Sequence, residues 1–351
     1  PMAVRRTALR ILTALERSSL TLDALLEEAE PSLQFPDARD RAFLNALTFG
    51  VLRWRARLDF LIAAFSRTPL KKIQPEVCNI LRLGLFQLVF LDRIPVSAAV
   101  NTSVELAKSA APGWVVRFVN AVLRRASVEH SQVAFPSLET DPVKAIAVQK
   151  SFPDWLVRRW VGRMGVEKTM ELCDAVNRIP ALTVRTNTLK TDRNDLLQAL
   201  ASEADSAWAT EIAPEGIGLR QPKRSFARMD AFKKGWFQVQ DEAAQLVTWM
   251  LHPQPGERVL DACAGLGGKT GHIAQLMHNR GELLAVDRNR SKLARLQEQM
   301  NRMGFTIIGC QELDLQQPGA AAQIGRFDRI LLDAACSGLG VLARKLDAKW
   351  C

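Results

Sequence analysis

Arg258-Val259-Leu260-Asp261-Ala262-Cys263-Ala264-Gly265-Leu266-Gly267-Gly268-Lys269-Thr270 is the stretch whose reading decides the fold. Val259 and Leu260 end a short apolar run, as a buried strand does. Gly265, Gly267 and Gly268 let the backbone bend tightly and approach a ligand with no side chain in the way. A helix is expected from Gly268 to about Met277, its free N–H groups facing the ligand. Alone, this pattern also fits a tight turn in an α/β domain with no ligand.

Working outward, the alternation continues. Strands are expected at 258–261, 282–286, 306–309 and 327–333, with helices at 268–279 and 290–303 between them. Such alternation means a parallel sheet covered on both faces, with ligands beyond the carboxyl ends of the strands. Asp261, Asp287, Asp314 and Asp333 all fall at or just past strand ends, which puts four acids around one crevice.

Three strings recur in a fixed order: Asp-Ala-Cys-Ala-x-x-Gly-Gly-Lys-Thr from Asp261, Val-Asp-Arg-Asn from Val286, and Leu-Leu-Asp-Ala-x-Cys-Ser-Gly-x-Gly from Leu331. Together they resemble the Sun/RsmB family of S-adenosylmethionine-dependent RNA cytosine-5 methyltransferases. The resemblance implies a cofactor loop at Cys263, Ala264, Gly265, Leu266, Gly267, Gly268 and Lys269. It implies that Asp287 holds the ribose hydroxyls, that Asp314 lies by the adenine, and that Asp333 lies near the methionine part and the target base. The acids themselves favour a sulfonium-bearing ligand over a pyrophosphate, which they would repel. Lys269 could instead pair with one of the acids.

The family reaction runs through a covalent cysteine adduct. The resemblance places Cys336 at the cysteine linked to product release. The attacking thiol belongs to a Thr-Cys-Ser motif one strand further on, and Cys351 is not that residue. A longer reading frame is therefore expected, with further strands that would cover the sheet edge; the chain also begins with Pro1. Alternatives are Cys336 as substitute nucleophile, cofactor binding without turnover, or a catalytically inert RNA-binding factor. The family has Ala-Pro where Gly265-Leu266 stand and Pro at Ala335 and near Leu346, so this chain's loops are less constrained.

The N-terminal third reads differently. Apolar residues recur at helical spacing from Val4 to about residue 128, the pattern of an all-α bundle. Gly50-Val51-Leu52-Arg53-Trp54, Ile80-Leu81-Arg82-Leu83-Gly84, Ile94-Pro95-Val96 and Arg117-Phe118-Val119-Asn120-Ala121-Val122-Leu123-Arg124-Arg125 resemble a NusB-like RNA-binding bundle. Residues 1–130 hold 18 Lys and Arg against 12 Asp and Glu, most of the chain's net +10. That balance favours a polyanionic partner, and the bundle disfavours a small-molecule methyltransferase. Arg53, Arg55, Arg57, Arg82, Arg93, Arg117, Arg124 and Arg125, with Trp54 and Trp114, are candidates for phosphate contact and base stacking.

Between these regions, 129–141 reads as a linker. Helices are expected at Asp154–Met164 and Val166–Val176, with Trp155 and Trp160 in the core. A strand near Ala181–Lys190, a helix at Arg193–Ala201 and strands near 208–212 and 216–219 suggest a small α+β subdomain. Arg185, Asn187 and Lys190 belong to a string that recurs in the family, with RNA contact or structural roles both open. Gln240 and Asp241 should cap and orient the following helix.

The expected organisation is multidomain: a NusB-like helical RNA-binding domain (1–130), an α+β RNA-side subdomain (142–234) and a Rossmann-like methyltransferase domain (235–351). Six scattered cysteines and four histidines give no metal-ligand spacing, so no metal is expected, and Cys78, Cys173 and Cys310 read as buried thiols. No apolar run approaches the roughly 20 residues of a membrane span. A cytoplasmic protein acting on small-subunit ribosomal RNA is the expectation.

Overall fold

The structure, a computed structural model, describes residues 2–18, 20–29, 38–110 and 112–350. Expectations about Pro1 and Cys351 lie outside the described residues. The chain forms two compact units, one of residues 1–180 with 338–351 and one of residues 181–337. No helix among the described residues is long and apolar enough to cross a membrane.

The first unit is helical: α1 (Met2–Leu15), α2 (Leu22–Ala29), α3 (Ala38–Arg53), α4 (Arg55–Phe65), α5 (Pro75–Phe90), α6 (Val96–Ala110), α7 (Gly113–Glu129), α8 (Pro142–Gln149), α9 (Asp154–Met164) and α10 (Val166–Asn177). Pro75 opens α5, where its missing N–H costs nothing. Val4, Leu47, Leu58, Ile62, Leu81, Leu85, Val119 and Leu123 meet in one buried core. The third helix ends at Arg53, and Arg55 and Arg57 belong to α4. Helix α8 starts directly after the stretch 129–141 that reads as linker. Its signal is Asp141-Pro142, in which the Asp141 carboxylate accepts the Lys144 N–H at 2.9 Å.

Several expected surface residues are internal. Arg82 is buried, with its guanidinium on Asp59 at 2.6 and 2.9 Å and on Glu16 at 2.6 Å. Arg53 is buried at the end of α3. Trp54 stacks on Phe90 at 4.8 Å, and Arg57 lies over both rings. The buried Arg53 and Arg82 are not placed to meet a phosphate, whereas Trp54 and Arg57 are half-buried. Trp114, Arg117, Arg124 and Arg125 are exposed on α7. Trp155 is also exposed, because α9 turns Leu156 and Val157 inward; Trp160 packs edge-on against Phe152 at 5.5 Å.

Residues 338–350 complete this unit. Leu342 joins the α8–α10 core and Leu346 the α1–α7 core. Asp347 accepts the Leu22 N–H at the start of α2, at 3.1 Å. Lys349 donates to the Arg53 carbonyl and to Asn177 Oδ1, both at 3.2 Å, at the ends of α3 and α10. Trp350 Nε1 donates to the Leu52 carbonyl at 2.7 Å. An acid thus meets a helix start, and a cation meets two helix ends, as the helix dipoles favour.

The second unit holds two sheets. The first is antiparallel, in the order β2-β3-β1-β4, from β1 (Leu182–Thr186), β2 (Ala204–Ala209), β3 (Gly216–Pro222) and β4 (Phe237–Val239). Helices α11 (Arg193–Ala201) and α12 (Asp230–Lys233) accompany it, and Val184, Leu196, Leu219 and Phe237 form its core. Helix α13 (Glu242–Leu251) follows, capped by the Asp241 carboxylate on the Ala243 N–H at 3.1 Å.

The second sheet is parallel, in the order β7-β6-β5-β8, from β5 (Arg258–Asp261), β6 (Glu282–Asp287), β7 (Ile308–Glu312) and β8 (Arg329–Leu331), with α14 (Gly268–Leu276) and α15 (Arg290–Met303) as crossovers. Strand β7 begins later than its apolar residues suggest, and β8 is shorter. Cys310 is exposed on β7, an edge strand, and is not a buried thiol; Cys78 and Cys173 are buried. Strands β6 and β8 pair in parallel with β5 on its opposite sides, so the order reverses at β5. A reversal of that kind opens a crevice at the strand ends.

Candidate functional site

The turn after β5 builds the site. Asp261 ends the strand, buried, and accepts the Thr270 hydroxyl at 2.7 Å. Gly265 and Gly267 take φ of +56° and +83°, a region that other residues rarely adopt. A Cβ at Gly267 would meet Leu296 at 2.6 Å, so the turn also packs against α15. A Cβ at Gly265 or Gly268 would meet nothing within 4 Å; there the backbone lies open to a ligand.

Gln240, Ala244, Asp261, Cys263, Ala264, Gly268, Lys269 and Asp333 line one concavity. Of the expected loop residues, Cys263, Ala264, Gly268 and Lys269 are therefore brought together with Asp333. Leu266 is largely exposed. Asp287, at the end of β6, accepts the Gly265 N–H through Oδ2 at 2.9 Å and the Asn289 N–H through Oδ1 at 2.8 Å. Asp314 sits in the turn after β7, where its carboxylate accepts the Gln316 N–H at 3.0 Å; neither Asp314 nor Asp287 lines the concavity itself. Lys269 Nζ pairs with Asp333 Oδ2 at 2.5 Å, tying the start of α14 to the chain after β8. Cys336 is exposed, three residues beyond Asp333.

Electrostatics agree with this geometry. Burial pushes the Asp261 carboxyl up to about 6, against the opposing pull of the Thr270 hydroxyl, the Cys263 backbone N–H and Lys269. Burial also pushes the Cys263 thiol up, reinforced by the Asp261, Asp287 and Asp333 carboxylates. Cys263 thus marks the point on which three acids converge. Such a cluster stabilises a cation.

Below the loop lies a polar layer that sequence reasoning placed differently. Arg185 is fully buried and cannot touch RNA. It donates to Gln240 Oε1, to the Gly268 carbonyl at 2.8 Å and to Gln238 Oε1 at 3.0 Å. Asn187 is also buried; its amide donates to the Gly235 and Met303 carbonyls at 2.9 Å. Lys190 caps the Lys234 and Arg302 carbonyls at 3.0 and 2.9 Å. Gln240 is the pocket residue that sequence reading assigned only to capping. Its signal was Gln238-Val239-Gln240, two polar residues on one side of a strand opposite Arg185.

Comparison with known proteins gives a consistent picture. The family described as 16S rRNA methyltransferase RsmB/F matches residues 248–351, the NusB family matches 2–127, and the ferredoxin-like domain of RsmF/B-like methyltransferases matches 152–225. The chain is 36% identical over 349 residues to a probable ribosomal RNA small subunit methyltransferase B of Bacillus subtilis, covering 99% of this chain and 76% of the relative. It is 38% identical to the Synechocystis protein of the same description, covering 99% and 78%. It is 35% identical to ribosomal RNA small subunit methyltransferase B of Pseudomonas putida, covering 99% and 77%. The crystal structure of PH0851 shares the fold over 100% of this chain and 78% of its own, with a TM-score of 0.80 at 23% identity. A methyltransferase homologue from Pyrococcus horikoshii matches 59% of this chain and 67% of its own at 27% identity and a TM-score of 0.51.

Proposed function

The chain belongs to the ribosomal RNA small subunit methyltransferase B family, and from that premise we propose that it methylates carbon 5 of a cytosine in small-subunit ribosomal RNA. It is an RNA methyltransferase with S-adenosylmethionine as cofactor. The observation that carries the reading is the convergence of Asp261, Asp287 and Asp333 on Cys263, at an open glycine turn.

The residues present fit that cofactor. When bound, it supplies an electrophilic methyl group on a sulfonium. The carboxylates of Asp261 and Asp333 suit the cationic centre. Asp287 is braced by two backbone N–H groups and keeps lone pairs for ribose hydroxyls. Asp314 is assigned to the adenine side. The backbone of Cys263, Ala264, Gly265, Leu266, Gly267 and Gly268 forms the cradle, and Lys269 holds Asp333 in place.

Carbon 5 of cytosine is a poor nucleophile. A thiolate adding to carbon 6 makes the ring enamine-like, so that carbon 5 can take the methyl group. A base then removes the carbon 5 proton as the carbon–sulfur bond breaks and the thiol leaves. Cys336 is assigned to this covalent cycle, in product release. The target base must be splayed out to be reached. Residues 1–130 are assigned to RNA binding, 142–234 to an RNA-side subdomain and 235–351 to catalysis, in the cytoplasm.

The test is methyl transfer from methyl-labelled donor to unmodified small-subunit ribosomal RNA, followed by nucleoside analysis. Label in 5-methylcytidine supports the proposal. Label in another nucleoside, or none, overturns it.

A further inference from the structure

The pocket wall contains an amide whose orientation is fixed by chemistry. Arg185 of β1 lies in register with Gln238 of β4. The chain continues extended through Gln240, whose N–H bonds the Thr183 carbonyl at 3.1 Å. Gln238 and Gln240 therefore face the same side, and both amide oxygens accept from the Arg185 guanidinium. The same guanidinium donates to the Gly268 carbonyl across the pocket loop.

A guanidinium has only donors, so the Gln240 oxygen must face Arg185 and its nitrogen must face away. One Nε2 hydrogen goes to the Ala244 carbonyl at 3.3 Å. The other has no hydrogen-bond partner among the described residues, and Gln240 and Ala244 line the concavity. Arg185 thus makes this wall a donor. Around it stand Lys269 and the first backbone N–H groups of α14, which favour negative charge. Asp261 and Asp333 line the same concavity, where they suit the sulfonium and the ammonium of the cofactor's tail.

We infer that Gln240 reads the carboxylate of the cofactor's amino-acid tail and that Arg185 is the positioning residue that holds it donor-outward. This rests on the cofactor reading above. No other part of the cofactor combines a negative charge with acceptors only.

The test uses the full chain and two neutral-sulfur probes: S-adenosylhomocysteine, which has the tail, and 5′-methylthioadenosine, which lacks it. Gln240→Glu keeps an acceptor for Arg185, so the fold is retained, but it removes the donor. It is expected to weaken S-adenosylhomocysteine by about tenfold or more and to leave 5′-methylthioadenosine within about twofold by calorimetry. Arg185→Met should show the same selective loss, and Arg185→Lys should recover part of it. Equal loss for both probes, or no loss in Gln240→Glu, overturns the inference. If Arg185→Met does not fold, Gln240→Glu decides alone. Failure of the unaltered chain to bind either probe would instead defeat the cofactor site itself, and the inference with it.

Discussion

Thr270 donates its hydroxyl to Asp261 at 2.7 Å, and both residues are buried, so the first turn of α14 is latched to the end of β5. The Asp261 carboxyl is pushed up to about 6 by burial. Its folded value lies above the unfolded one, near 3.9. Stability from this group is therefore full below the unfolded value and lost as pH rises through about 6. Ionisation, however, creates the anion that a cationic ligand prefers. The ratio of S-adenosylmethionine to S-adenosylhomocysteine affinity should rise severalfold as pH increases through about 6, and the rise should vanish in Asp261→Asn. Calorimetry across that range checks it.

Lys349 gives the opposite sign in the helical unit. Burial lowers its ammonium to about 7, and the Arg53 charge adds to the fall, even though it donates to two oxygens and lies 3.6 Å from the Phe152 ring centre. The unfolded chain, with an ordinary lysine near 10.4, holds more protons than the folded chain across that interval. Stability should therefore climb as pH rises from about 7 toward the unfolded value. Urea melts of Lys349→Met should show a flatter climb. An identical slope would mean that the ammonium is not destabilised by its burial.

Arg82 and the exposed residues of α7 should separate stability from RNA binding. Arg82→Met strands the partly buried Asp59 and leaves Glu16 to Arg55 alone, with a loss of up to roughly 3–5 kcal/mol expected in melts. Its RNA affinity, measured well below the melting point, should hardly change. Trp114→Ala is expected to weaken RNA binding by about 1–3 kcal/mol if a base stacks there. Arg117→Ala and Arg124→Ala should each lower the salt dependence of RNA binding by roughly one counterion. Melting temperatures of the three α7 variants should stay near that of the parent.

These contrasts also show what the sequence makes legible. Helix α15 was readable because Asn289 caps Lys292 at 3.1 Å and Gly304 closes the helix at φ +81°. The loop after β5 was readable because Gly265 and Gly267 sit where φ is positive. Arg185 was not, since a strand arginine looks the same whether it faces solvent or a buried pair of glutamines. Arg82 was misplaced for the same reason: its acids come from elsewhere in the chain, Glu16 from just past α1 and Asp59 from α4. Trp155 and Cys310 show that an apolar residue at an element's outer face is decided by packing, not by type. Asp314 falls beyond its strand end as expected, yet its turn keeps it out of the concavity.

The most direct measurement is calorimetric titration of S-adenosylmethionine into the full chain and into Asp287→Ala. Asp287 is held by the Gly265 and Asn289 N–H groups, at the point where the ribose hydroxyls are assigned. Saturable one-to-one binding to the parent chain and its loss in the variant, with the melting curve retained, is the predicted result. Unchanged affinity in Asp287→Ala would contradict the assignment of this crevice as the cofactor site.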